Sequence, residues 1–198
     1  VEGAYRFLKR LWKQVFVHVD SNGNVPALDV STLTDDQKSI RRQLHLALKK
    51  AGDDYGRRYT FNTVIAANME LVNTLSKRND NSDNGKAIRQ EALEIILLML
   101  SPIVPHVCMQ LWNELGHEED IVLAPWPVID ESALEQDSIK MMLQVNGKLR
   151  GEIQVSVSAT KDDIEQLALA DENVKRFVED KSVKKVVVVP KRLVNIVV

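Results

Sequence analysis

Residues 144–155 read Q-V-N-G-K-L-R-G-E-I-Q-V, and they mark where a helical chain turns into a sheet. Asn146-Gly147 between two alternating apolar and polar runs is a strong hairpin signal. The apolar positions are Met141, Leu143 and Val145 before the turn and Leu149, Ile153, Val155 and Val157 after it, all odd-numbered. A two-residue loop pairs odd positions with even ones and splits this set between two faces. A three-residue loop, Val145-Asn146-Gly147, keeps it on one face, with Gly147 left-handed in a bulge. The spacing therefore predicts a buried odd face and an outer face carrying Gln144, Lys148, Arg150, Glu152 and Gln154.

Upstream, the periodicity is helical. Tyr5, Leu8, Leu11, Trp12, Val15, Phe16 and Val19 share one face, with Arg6, Lys9, Arg10 and Lys13 opposite. Thr34-Asp35-Asp36-Gln37 reads as a capping box that opens a helix to about residue 56. A third helix runs from about Thr60 to about Lys77, and residues 79–85 form a polar, mobile loop. Residues 88–100 are almost all apolar, which predicts a central helix. Pro102 breaks it, and Pro105 opens a helix that Gly116 ends. Trp126, between Pro125 and Pro127, pins a connector onto the bundle. Beyond the hairpin, Thr160 caps a short helix, residues 172–178 form another, and residues 183–189 and 193–198 are strands. The fold class is thus an antiparallel helical bundle at 1–117, a packed connector at 118–137, and a small α/β domain with β-hairpins at 138–198.

The 198 residues are 44% hydrophobic and 27% charged, with a net charge of −2, so a sizeable core is expected and a global polyanion-binding charge is not. Any nucleic-acid site must be a local patch. Cys108 is the only cysteine, which excludes an intrachain disulfide and suits a reducing compartment. No signal peptide or membrane span is visible. The chain opens in a helical pattern without an initiator Met, which suggests part of something longer.

Catalytic signatures are missing. No phosphate-binding glycine loop, nucleophile elbow or paired-histidine metal motif occurs. His106 and Cys108 lack a second ligand pair, and Cys108 reads as a small core residue. Basic stripes are more informative. Lys38, Arg42, His45 and Lys49 fall at steps of four, three and four on one helix face, with Arg41 beside them, and Arg57-Arg58 stand at the next boundary. Such stripes can track a phosphate backbone, but spacing alone favours the reading of an ordinary solvated face. Lys148, Arg150, Lys184, Lys185, Lys191 and Arg192 lie at strands or turns of the second domain.

Four segments resemble the C-terminal part of bacterial-type leucyl-tRNA synthetases, members of the class I aminoacyl-tRNA synthetases. They are Arg57-Arg58-Tyr59-Thr60-Phe61-Asn62-Thr63, continuing through Met69 to Asn73; Ser101-Pro102-Ile103-Val104-Pro105-His106, ending in Leu111-Trp112; Ala124-Pro125-Trp126-Pro127; and Val145-Asn146-Gly147-Lys148 with Arg150. The hairpin segment points to the leucine enzyme rather than the isoleucine or valine ones. The resemblance implies an anticodon-binding-type bundle that supports the tRNA body and a C-terminal domain that touches the tRNA elbow. It implies leucine tRNA as partner, together with catalytic and editing domains of the same chain, in a cytoplasmic monomer. ATP and magnesium belong to the full enzyme, with no cofactor and no catalytic residue in this stretch. On this basis Arg41, Arg42, His45, Lys49, Arg57 and Arg58 are expected to face the tRNA stem, and Lys148, Arg150, Lys191 and Arg192 the elbow. The rival reading is a stand-alone helical-bundle interaction protein with no RNA role.

Overall fold

The computed structural model describes residues 2–21, 24–135, 138–178, 183–190 and 192–198. They fall into two compact units, Val1–Glu135 and Gln136–Val198. The connector therefore belongs to the first unit.

In that unit α1 spans Glu2–Ser21, α2 Asp35–Asp53, α3 Phe61–Ser76, α4 Asp83–Leu100, α5 Pro105–Glu114 and α6 Glu131–Leu134. The predicted capping box is formed: Thr34 accepts from the Gln37 amide and the Gln37 side chain accepts from the Thr34 amide. Helix α4 is central and touches α1, α2, α3 and α5. Its Leu93, Ile96, Leu97 and Leu100 are buried with Leu11, Leu44, Leu48, Val72 and Leu111. Cys108 is buried among them, and burial pushes its thiol up to about 12, so it behaves as a core residue.

Three polar side chains along α4 reach histidines of other segments. Gln90, Glu91 and Glu94 take the rings of His18, His45 and His117 at 2.7, 3.2 and 2.9 Å. Three histidines that look isolated in sequence thus tie α1, α2 and the segment after α5 to one helix. Burial lowers the pKa of His18 from its usual range, which keeps the ring neutral beside Gln90.

The expected loop at 79–85 is shorter than predicted. Ser82 caps α4 by accepting from the Gly85 amide at 3.1 Å, so Asp83, Asn84 and Gly85 are its first turn. A side chain at Gly85 would run into the carboxyl and the carbonyl of Asp80.

The second unit holds β1 Ser138–Val145, β2 Lys148–Ser156, α7 Lys161–Ala170, α8 Glu172–Val178, β3 Lys185–Val189 and β4 Leu193–Val197. Strand order is β2-β1-β4-β3, with β1 and β4 parallel and the other pairs antiparallel. Met141, Leu143, Val145, Val155, Val194 and Ile196 are buried against Ile164, Ala168 and Val174 of the two helices.

The hairpin corrects the three-residue loop. Val145 pairs with Lys148, so the loop is Asn146-Gly147 alone. Both have positive φ, 49° and 77°, as a type I′ turn requires. The pairing parity then changes between Leu143 and Gln144, because Gly151 faces Leu143 while Leu149 faces Gln144. Arg150 is the extra residue of a β-bulge. Two-residue turn and bulge together restore odd-to-odd pairing further down. Near the tip the faces differ from expectation. Leu149 lies opposite Gln144 and is 60% exposed, so it is not in the core. Lys148 lies opposite Val145 and shares its face, and Arg150 lies against α8.

Replacing Gly85 by Ala ordinarily favours a helix by up to about 1 kcal/mol. Here the clash with Asp80 reverses the sign, and Gly85→Ala is expected to destabilise the first unit by about 1–3 kcal/mol in urea denaturation.

Candidate nucleic-acid interface

The middle of the basic stripe of α2 faces the connector rather than solvent, while Lys38 and Lys49 at its ends are exposed. Arg41 is 4% exposed and His45 2%. The Arg41 guanidinium donates to both oxygens of Glu91 at 2.8 Å and to Asp130 at 2.9 Å. The Asp130 amide donates to Nδ1 of His45 at 3.2 Å, so Nε2 carries the proton it gives to Glu91. Arg42 is half-buried and donates to the Leu134 carbonyl at 3.4 Å. Lys49 is exposed and stands 3.7 Å from Glu131. The assignment of Arg41 and His45 to an RNA surface is therefore corrected: they hold residues 130–134 in place. Their partners lie about fifty and ninety residues away, which helical spacing cannot reveal.

Each carboxylate of this network is shifted. Hydrogen bonds from Ser132 hold Asp130 at about 2, with Arg41 adding to them against a desolvation penalty. For Glu91, burial pushes upward most strongly, but hydrogen bonds and charge from Arg41 and His45 outweigh it and the net direction is down. Arg41 is raised, first by its hydrogen bond to Glu91.

The corner between α2 and α3 has a different character. Asp54 to Arg58 form a single π-helical turn, and Tyr59 follows in the left-handed region at φ 53°. Buried Asp54 organises this corner. Its carbonyl accepts from the Thr60 amide at 3.0 Å, and its carboxylate accepts from Thr60 at 2.9 Å, from Thr63, and from Lys50 at 3.2 Å. The Thr63 hydroxyl is the foremost cause that holds the Asp54 carboxyl at about 2. The polar residues of Arg-Arg-Tyr-Thr-Phe-Asn-Thr thus divide. Thr60 and Thr63 turn inward to Asp54, while Arg57, Arg58, Tyr59 and Phe61 are exposed. Arg57 is 79% exposed and pairs only with Asp53 on the same turn, an exchangeable surface contact. Trp126 packs edge-on to Tyr55 at 5.7 Å, so the connector is pinned as its sequence suggests.

In the second unit, the hairpin turn is anchored to β4. The Asn146 amide donates to the Ile196 carbonyl at 2.9 Å, the Gly147 amide donates to Asn195 Oδ1 at 3.0 Å, and the Val198 amide donates to Asn146 Oδ1 at 3.2 Å. Lys148 is exposed at this tip, and Lys184, whose amide bonds to the Val197 carbonyl, stands at the same end of the sheet. Arg150 is half-buried, its guanidinium 3.8 Å above the ring of Phe177. Arg192 is exposed beside Met142, whose amide bonds to its carbonyl. That is the opposite end of β4, roughly 10–13 Å from the tip at the usual strand rise. Lys148 and Arg150 come together; Arg192 does not join them. Lys191 lies outside the described residues. Phe177 escaped the sequence reading, because nothing local links residue 177 to residue 150.

Among the described residues, no helix is long and apolar enough to cross a membrane. A helical unit with outward guanidiniums is thus followed by a small sheet with a cationic tip. Residues 37–166 match the family described as the anticodon-binding domain of tRNA ligase, and the chain belongs to that family. It is 60% identical over 198 residues to a leucine–tRNA ligase of Thioalkalivibrio sulfidiphilus and 55% identical over 199 residues to that of Nitrosococcus oceani. All of this chain is covered in both, but it spans only 24% of each relative's length. Among solved structures, it resembles a leucyl-tRNA synthetase of Agrobacterium radiobacter K84 in ternary complex with tRNA and LeuAMS, with a TM-score of 0.75 and 26% identity. That match covers 99% of this chain and 25% of the other.

The carboxylates give a pH signature. Both are depressed, so their stabilisation is whole above the unfolded values of 4.5 for Glu91 and 3.8 for Asp130. It is lost as pH falls through the folded values, about 2 for Asp130. Glu91→Gln leaves Arg41 without its main partner and is expected to cost about 3 kcal/mol at pH 7. The difference between parent and variant in thermal unfolding should shrink between pH 5 and pH 2.

Proposed function

We propose that this chain is the tRNA-positioning part of a leucine–tRNA ligase, which joins leucine to its tRNA with ATP. The observation that carries the reading is the end-to-end 60% identity to such a ligase, with every residue of this chain covered. The solved relative in complex with tRNA supports RNA as the partner of this region. Arg57 and Arg58 on the first unit, with Lys49 nearby in sequence, contact phosphates of the tRNA body. Lys148 and Arg150 at the hairpin tip contact the elbow, and Arg192 makes a separate contact from the other end of β4. These contacts position the RNA and do not read its bases, since Lys49, Arg57, Arg58, Lys148 and Arg192 are exposed cations suited to phosphates, with Arg150 half-buried on Phe177. Catalysis, with ATP and magnesium, belongs to other domains of a longer cytoplasmic, monomeric protein, whose catalytic and editing domains are partners of this chain.

Two double variants in the full-length protein test the assignment unit by unit. Arg57→Ala with Arg58→Ala, and Lys148→Ala with Arg150→Ala, should each weaken binding of leucine tRNA. Each lost phosphate contact should flatten the dependence of log affinity on log salt by about 0.7–0.9. An unchanged affinity and slope in one pair would remove that surface from the interface.

A further inference from the structure

Arg150 stands in an unusual setting. The bulge of β2 inserts it as the unpaired residue, and its guanidinium carbon stands 3.8 Å from the centroid of the Phe177 ring. Its Nε is buried without a hydrogen-bond partner among the described residues. A half-buried guanidinium ordinarily finds a carboxylate or a carbonyl, because desolvating an unpaired charge is costly. The Asp171 carboxylate is near, 3.6 Å from where a Gly151 side chain would begin, but it is committed to capping α8. Its Oδ1 accepts from the amides of Asn173 and Val174 at 3.0 and 3.1 Å. Among the described residues Arg150 forms no ion pair, and its side-chain contact is the Phe177 ring.

We propose that Phe177 is a positioning residue that holds Arg150 as a preformed receptor for one phosphate of bound tRNA. This deepens the elbow contact of the reading above and rests on it. The ring attracts the cation through its face and, with Nε buried, the two terminal Nη groups are the donors that meet two phosphate oxygens. An arginine already pinned by the bulge and the ring loses little side-chain freedom on binding, whereas an exposed lysine such as Lys148 loses more. Among the described residues no acceptor takes the terminal N–H donors of Arg150, which are left to the RNA.

The test uses four variants of the full-length protein: Arg150→Ala, Phe177→Leu, Phe177→Tyr and the double Arg150→Ala/Phe177→Leu. Affinity for leucine tRNA is measured at several salt concentrations, and thermal unfolding alongside. Arg150→Ala should weaken binding about tenfold or more and flatten the salt slope. Phe177→Leu keeps a bulky apolar side chain but loses the aromatic face, and should weaken binding about threefold. Phe177→Tyr should bind like the parent, and the double variant should bind no worse than Arg150→Ala alone. If Phe177→Leu lowers only the melting temperature, or its loss adds in full to that of Arg150→Ala, Phe177 does not position the arginine. A weakened Arg150→Ala beside a parent-like Phe177→Leu overturns this proposal and leaves the elbow reading standing. A parent-like Arg150→Ala sinks both for this residue.

Discussion

A charge cannot be buried without partners, and the first unit is built around that constraint. Arg41 is almost wholly removed from water, so its guanidinium must find anions in fixed places. Glu91 on α4 supplies two oxygens and Asp130 in the connector a third. His45 closes the arrangement, donating to Glu91 and accepting from the backbone of Asp130. Asp130 in turn caps α6 through Ser132. One helix, the central helix and the connector are thereby specified relative to one another by hydrogen-bond geometry. The net stability of such a network is small against an apolar replacement, but breaking one member is expensive. Its use is to select a single arrangement.

The same logic, turned outward, shapes the corner at residues 54–63. A buried aspartate collects two hydroxyls on its carboxylate and an amide on its carbonyl, and so fixes a tight reversal with a left-handed tyrosine. Of the arginines beside it, Arg57 pairs with Asp53 at the surface, and exposed Arg58 stands 3.6 Å from the Asp54 carboxylate. Inward polar residues thus set the backbone, and outward ones remain available to a polyanion. Both roles are written in one short run of sequence, and burial distinguishes them.

Much of this was legible beforehand. Helix boundaries at Thr34, Pro105, Gly116 and Thr160 follow from local chemistry that acts within one turn. The burial of α4 follows from its composition. The stripe at 38, 42, 45 and 49 shows the limit of that reading. Helical spacing tells which residues share a face, but not what covers it, and here the cover arrives from residues 130–134. The hairpin tip shows another. Parity arguments assume an uninterrupted ladder, and a single bulge defeats them. At residues 82–85 the signal was present, since Ser82 before Asp83 is a recognisable cap, and the run of polar residues disguised it. Of the candidate cations, Arg57, Arg58, Lys148 and Arg192 stay exposed as read, because short-range features place them on turns and ends.

The bulge at Arg150 separates the hairpin into two stretches of opposite phase. From Ser138 to Leu143 the ladder keeps the parity that the buried face demands; at Gln144 and Val145 it keeps the parity that a two-residue turn demands. The bulge works as a clutch between them. The exposed side chains at the tip, Lys148 and Leu149, can be exchanged without asking the core to repack. A chain whose outer end must suit a partner and whose inner end must suit itself gains from that decoupling, since the two ends can then change independently.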